Sequence, residues 1–202
     1  MFLFKKKEKP RSRLPPNQRW IEHILRWGEE HRGIQSELPD ISHDKWRLIV
    51  DGDVETQIEL EWGDFMDLEQ VESISDFHCV ETWSVMDQKW EGVRFSTLID
   101  IVKPSKKAKY VLFLGYDGYT TSLRGSDLME KNIVLAHRLN DEPLPQSLGG
   151  PMRLVVPNKY GYKSAMWLNR VSFSSRDKLG YWERGAFSNS GDPWRNDRYS
   201  LK

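Results

Sequence analysis

"KWRLIVDGDVETQIELEW", residues 45–62, decides the fold class. At its centre Asp51-Gly52-Asp53 is a turn signal, and beyond it Ile58-Glu59-Leu60-Glu61-Trp62 alternates apolar with polar residues. Successive side chains of an extended chain point to opposite faces, so alternation marks a strand with one buried face. The stretch therefore reads as two strands joined by a turn. Residues 71–79, "VESISDFHC", continue the pattern with Val71, Ile74 and Phe77 and end at a cysteine. Residues 108–123, "AKYVLFLGYDGYTTSL", read as two more strands around a turn near Asp117-Gly118. In "NIVLAHRLNDEPLP", 132–145, Asn140-Asp141 marks another turn, and 149–174 alternate short strands with Gly and Pro breaks.

Helices are fewer. "RWIEHILRWGEEHRG", from about Gln18, spaces Trp20, Ile24 and Trp27 three or four apart and is followed by glycine, which predicts a helix or helical turn. "GDFMDLEQ" predicts a short helix with Asp64 near its start. "RFSTLIDIV" predicts an amphipathic helix stopped by Pro104, and "GSDLMEK" a short helical turn. The last stretch, "YWERGAFSNSGDPWRNDRY", has no period and reads as irregular chain packed over the body. The whole is a mixed, strand-rich α+β domain with short peripheral helices.

Composition narrows the function. The 202 residues carry 30 Lys and Arg against 30 Asp and Glu, so no global charge draws the chain to nucleic acid or a membrane surface. No apolar run approaches the roughly 18 residues of a spanning helix, which argues against stable membrane insertion. The start, "MFLFKKKEKPRSRLPP", has its apolar residues before the basic ones, the reverse of a secretory signal. It reads as a flexible basic tail, 1–16, ahead of a domain from 17 to 202, with a cytoplasmic location expected. A single cysteine excludes an intrachain disulfide framework and fits a reducing compartment. Nine tryptophans, several beside polar or glycine-rich segments, suit the walls of a pocket or the filling of a core.

The common phosphate loops G-x-G-x-x-G and G-x-x-x-x-G-K-[ST] are missing, as are H-E-x-x-H, paired C-x-x-C and G-x-S-x-G. What remains is Cys79 in "SDFHCVETWS", 75–84, at the end of a strand and before a polar segment that reads as a loop. A lone cysteine is commonly a small buried hydrophobe. It is also a nucleophile when a histidine serves it, but extended backbone points His78 to the opposite face. His23, His31, His43 and His137 sit in dissimilar settings and read as structural or exposed.

Four stretches in order, "SDFHCVETWS", "EGVRFSTLIDIV", "DGYTTSL" and "EPLPQSLGGPMRLVVPNKYGYKSAMWL", together resemble the molybdopterin-binding domain of the sulfite oxidase family. The likeness runs from about 14 to 200 and is greatest to the small single-domain sulfite oxidase-like oxidoreductases. It implies a molybdenum–molybdopterin cofactor whose metal takes one protein thiolate, at Cys79. A soft thiolate suits a metal already held by sulfur. The resemblance matches Tyr119 to a catalytic tyrosine near the reacting oxygen, and Arg153 to an arginine on the cofactor phosphate or pterin. It matches Lys163, Ser164 and Ala165 to a phosphate loop, and puts Gly149 and Gly150 against the pterin, with His78 beside the cofactor.

The chain departs from the family at three places. Leu148 stands where His or Asn is usual, and Met166 where Lys is usual. The arginine that follows the cysteine ligand in sulfite oxidases is replaced by the run Val80-Glu81-Thr82-Trp83. A carboxylate there disfavours a sulfite dianion and favours a neutral S- or N-oxide, reduced by oxygen-atom transfer with electrons from a separate protein or reductase. Trp83 would wall the pocket. Two rival readings stay open: a non-catalytic binding module descended from the fold, which Leu148 and Met166 would suit, and sulfite oxidation.

Overall fold

The computed structural model describes residues 13–200. Two sheets dominate. In the first, the strands run in the order β3 (Ile58–Glu61), β2 (Arg47–Gly52), β11 (Leu168–Ser174), β6 (Tyr110–Gly115) and β7 (Thr120–Arg124). β2 and β11 are parallel and the other pairs antiparallel. Alternation sets the burial: Leu48 and Val50 of β2 and Val111 and Phe113 of β6 turn inward, while their neighbours stay partly exposed.

The second sheet is built on the 12-residue strand β5 (Trp83–Arg94). β5 pairs along nearly its whole length with β4 (Gln70–His78), and on its other edge its start pairs, in parallel, with the two-residue β1 (Arg19–Trp20). Its second half pairs with β8 (Val134–Leu139), which also holds β9 (Glu142–Pro143) and β10 (Arg153–Val155). At the bulge where β5 crosses β8, a Cβ on Gly92 would sit 1.9 Å from the Leu135 carbonyl oxygen, so the approach needs glycine.

α1 (Trp62–Asp67) opens with a reciprocal pair of side-chain bonds between Glu61 and Asp64, and α2 (Phe95–Val102) buries Phe95, Leu98 and Val102. α3 (Tyr181–Arg184) is a single turn. Alternation gives the second sheet two buried faces. Val93, Leu135 and Leu154 join the core shared with the first sheet; Val134, Ala136 and Val155 join a second core with Phe77, Trp83, Trp90 and Ile24. No helix among the described residues is long and apolar enough to cross a membrane.

Two expectations are corrected. The helix expected from Gln18 is absent: the Arg19 and Ile21 amides bond to the Thr82 and Ser84 carbonyls, and the chain then runs irregularly across the second core. Edge pairing and burial of Ile24 override a helical spacing that has no firm cap. The polar segment after Cys79 is a loop for only three residues, 80–82, before β5 begins. Residues 1–12 of the expected tail lie outside the described residues; Arg13 lies 3.0 Å from Asp76 and 3.1 Å from Asp87.

Candidate active site

Cys79 is the first residue beyond β4, in a tight turn that delivers the chain into β5. Its amide donates to the Trp83 carbonyl at 2.8 Å, and the Thr82 amide, with φ at +77°, donates back to the Cys79 carbonyl at 3.2 Å. The side chain is half-buried on the wall of a cleft that opens to solvent. Burial pushes the thiol up to about 12, with the Glu81 charge adding to the rise and the Glu81 and Val80 amides opposing it. A bound metal would reverse that balance, since a coordinating thiol is deprotonated outright. No cluster of three or more His, Cys, Asp or Glu side chains fit to hold a metal occurs among the described residues.

The cleft gathers distant parts of the chain. Trp83 and Phe77 come from the second sheet, Tyr119 and Asp117 from the β6–β7 turn, and Trp182 and Phe187 from the C-terminal stretch. Ile24, Trp27, His31 and Ile34 come from the irregular segment that replaces the expected helix. Its surface is mostly apolar and aromatic. The Tyr119 phenol donates to the Tyr162 carbonyl, and burial raises its pKa well above the ordinary tyrosine range, so it stays a proton donor at neutral pH. Asp117 accepts from the Tyr119 amide at 2.9 Å, and burial raises its pKa.

Arg153 is the deepest polar group on the lining, 2% exposed. Its guanidinium donates to the Leu148 carbonyl at 2.9 Å and the Ser164 carbonyl at 3.0 Å, and lies 5.2 Å from the Phe77 ring centre and 5.7 Å from that of Trp90. None of these partners is an anion. Burial alone pulls its pKa down to about 9. A buried cation with no carboxylate beside it, on the wall of a cleft, is a site fitted to an anionic group.

Cys79, Tyr119, Arg153 and Ser164 thus share one cleft, with Met166 beside them. Lys163, Ala165, Gly149 and His78 are not on its lining. The Lys163 ammonium, wholly buried, points instead at the Ser122 carbonyl (2.8 Å) and Glu183 (2.6 Å). His78 Nδ1 lies 2.8 Å from Ser84 Oγ, whose own proton goes to Gln18 Oε1. The His78 ring is therefore the donor in that pair, and burial lowers its pKa. A Cβ on Gly149 would meet Met166 Cβ at 2.8 Å, so the Met166 side chain covers this glycine.

Sequence reasoning set aside His31, which lies on the lining with Nε2 3.1 Å from Glu81 Oε2, near enough for an ion pair though off the line of a hydrogen bond. It passed over Asp117 except as a turn residue. Neither carried a local signal, because the fold, not the spacing, brings them to Cys79.

Residues 35–182 match the family described as "oxidoreductase molybdopterin binding domain". Over 201 residues the chain is 34% identical to the uncharacterized oxidoreductase YuiH of Bacillus subtilis (strain 168), covering 99% of each. It is 30% identical over 187 residues to the protein-methionine-sulfoxide reductase catalytic subunit MsrP of Campylobacter jejuni, covering 84% of this chain and 62% of that one. The fold is like that of the sulfane dehydrogenase SoxCD from Paracoccus pantotrophus, with a TM-score of 0.68 at 20% identity over 78% of this chain and 44% of that chain. The chain belongs to the sulfite oxidase-type molybdopterin-binding family and is a molybdenum-dependent oxidoreductase carrying molybdenum–molybdopterin.

Proposed function

We propose that this chain reduces a neutral organic S-oxide or N-oxide, with Cys79 as the protein ligand of the metal. The observation that carries the reading is the cleft beside Cys79. Its walls are aromatic and aliphatic, its carboxylates are Glu81 and Asp117, and its guanidinium, Arg153, is 2% exposed and bound to carbonyls. A sulfite dianion entering there meets like charge, and the one guanidinium is taken up by the cofactor phosphate, whereas an uncharged oxide loses little on leaving water. The similarity to a protein-methionine-sulfoxide reductase catalytic subunit supports the same direction.

The residues divide by role. Arg153 supplies the charge for the phosphate of the cofactor, and Ser164, whose carbonyl fixes that guanidinium, lies beside it on the lining. Leu148 is buried and gives its carbonyl, not its side chain, to Arg153, so loss of a polar side chain there leaves the cation held. Lys163 acts from behind by fixing this loop to Glu183. Tyr119 holds a proton at its phenol oxygen next to the cleft. The bound cofactor supplies the two-electron redox change. Overall, a sulfoxide takes up two protons and two electrons and leaves as the sulfide plus water; an N-oxide gives the amine plus water. The electrons come from a separate redox protein.

Protein made in a host that synthesises molybdopterin tests the reading. We expect about one molybdenum per chain, a thiolate-to-metal absorption band that is lost in Cys79→Ser, and turnover of methionine sulfoxide or trimethylamine N-oxide with reduced viologen. A parent chain that oxidises sulfite and ignores both oxides would overturn the substrate assignment. A Cys79→Ser chain that keeps that band would overturn the ligand assignment. A metal-free parent, from a host shown to load a related enzyme, would favour a binding module instead.

A further inference from the structure

We infer that Arg198 and Gln18, residues from opposite ends of the chain, are positioning residues that clamp the Cys79 turn; this rests on the reading of Cys79 as the metal's ligand. The turn is under-bonded from within. Its internal hydrogen bonds, Cys79 to Trp83 and Thr82 to Cys79, leave the Val80 and Thr82 carbonyls without a partner inside the turn. Each of those oxygens is met from outside.

Arg198 Nη1 donates to the Val80 carbonyl at 2.5 Å, Nη2 to the Asn17 carbonyl at 3.3 Å, and Nε to Asn196 Oδ1 at 2.8 Å. Its carbon centre lies 5.6 Å from the Tyr160 ring centre. All its hydrogen-bond partners are neutral, so the guanidinium is used as a rigid three-pronged donor, a geometry that lysine does not offer. Gln18 works from the other side. Its Nε2 donates to the Cys79 carbonyl at 3.1 Å and its Oε1 accepts from Ser84 Oγ at 3.1 Å, while the next residue, Arg19, donates its amide to the Thr82 carbonyl at 2.8 Å. Gln18 therefore spans the turn, holding the residue that carries the sulfur and the strand that leaves it. Arg198 and Gln18 also meet through the N-terminal segment, since Asn17 is bonded to the first and joined to the second.

A ligand on a turn keeps its direction only if the turn keeps its shape, and partners of ligands commonly affect metal affinity or activity by roughly ten- to hundredfold. Neither Arg198 nor Gln18 is on the cleft lining, so neither is placed to touch substrate.

The test uses the molybdenum-loaded full chain with Arg198→Met, Arg198→Lys and Gln18→Glu. The last removes the donor to Cys79 while keeping the acceptor for Ser84. We expect shifted or broadened electron paramagnetic resonance lines of the one-electron-reduced metal, and kcat lower by roughly tenfold or more with KM little changed. Arg198→Lys keeps the charge but loses the fork, so it should not restore the spectrum. Parental spectra and kcat in both Arg198→Met and Gln18→Glu would overturn the clamp. A readout free of the metal is hydrogen–deuterium exchange in the apo-chain. The amides of residues 79–84 should exchange faster in the variants, while the β6–β7 hairpin stays as in the parent. Unchanged exchange at 79–84 would overturn the clamp even if the parent bound no metal, a result that would sink the ligand reading separately. If Arg198→Met does not fold, Arg198→Lys and Gln18→Glu carry the same comparison.

Discussion

The Lys163 ammonium and the Glu183 carboxylate are both wholly inaccessible and 2.6 Å apart, with Thr121 donating to the same carboxylate oxygen. Two charges removed from water are stable only as a pair, and removing one partner strands the other at about 3–5 kcal/mol. Glu183→Gln is therefore expected to lower unfolding stability by about that amount in urea titration. Replacing both, as Lys163→Met with Glu183→Leu, should cost less than Glu183→Gln alone. A loss below about 1 kcal/mol in Glu183→Gln would mean that the buried amine gives up its proton, the direction in which burial already pulls it. At this scale the sequence was informative where a residue's own neighbours define it. Cys79 closes a strand of its own segment and could be singled out on that ground. Lys163 could not be assigned from its loop, because its partner arrives 20 positions later through the folding of the C-terminal stretch.

α2 ends at Lys103, which takes a left-handed conformation (φ 49°, ψ 76°) while its amide still bonds to Ile99. A side chain there costs about 1–2 kcal/mol against glycine. Glycine loses about 0.4–1 kcal/mol of that advantage through a freer unfolded chain. Lys103→Gly should thus stabilise the fold by roughly 0.5–1 kcal/mol, read as a higher denaturation midpoint at unchanged slope. A lower midpoint would show that the lysine makes a contact worth more than the strain. Among the elements, the hairpins of the first sheet were legible from the alternation in β3, the apolar run of β6 and the turn signals at Asp51-Gly52-Asp53 and Asp117-Gly118. β5 was not. It is buried on both sides at its start, and its polar residues are satisfied inside the protein: Ser84 by His78 and Gln18, Gln88 by the Met86 carbonyl and Asn140. To a reader of sequence such a strand looks like a polar loop. The failed helix from Gln18 is the converse, a helical spacing of Trp20, Ile24 and Trp27 in an irregular segment of which Ile24, with Ile21 and Leu25, packs on the second core.

Across the whole molecule, α+β class and strand-rich character followed from alternation, but the walls of the cleft did not, since they come from segments as far apart as Trp27 and Phe187. The same closure buries two imidazoles in the body. His78 is 3% exposed and His137 is 9% exposed, the latter with Nε2 unpartnered and its ring centre 5.9 Å from that of Trp62 and 6.0 Å from that of Phe65, both nearly perpendicular to it. Burial lowers the pKa of each from the ordinary 6.5, with the Asp76 charge opposing this at His78 and the Glu91 charge at His137. Below pH 6.5 the unfolded chain therefore holds more protons than the folded one, and unfolding free energy rises with pH wherever that is so. Stability from these groups is fully present above pH 6.5 and is lost as pH falls from there toward their lowered folded values. Thermal midpoints of the parent should accordingly drop between about pH 7 and about pH 5. His137→Gln removes one of the two titrations and should flatten that drop, leaving the share from His78, whatever it does to the midpoint near neutral pH. A slope unchanged in His137→Gln would place the proton uptake of unfolding on His78 and on residues outside the body.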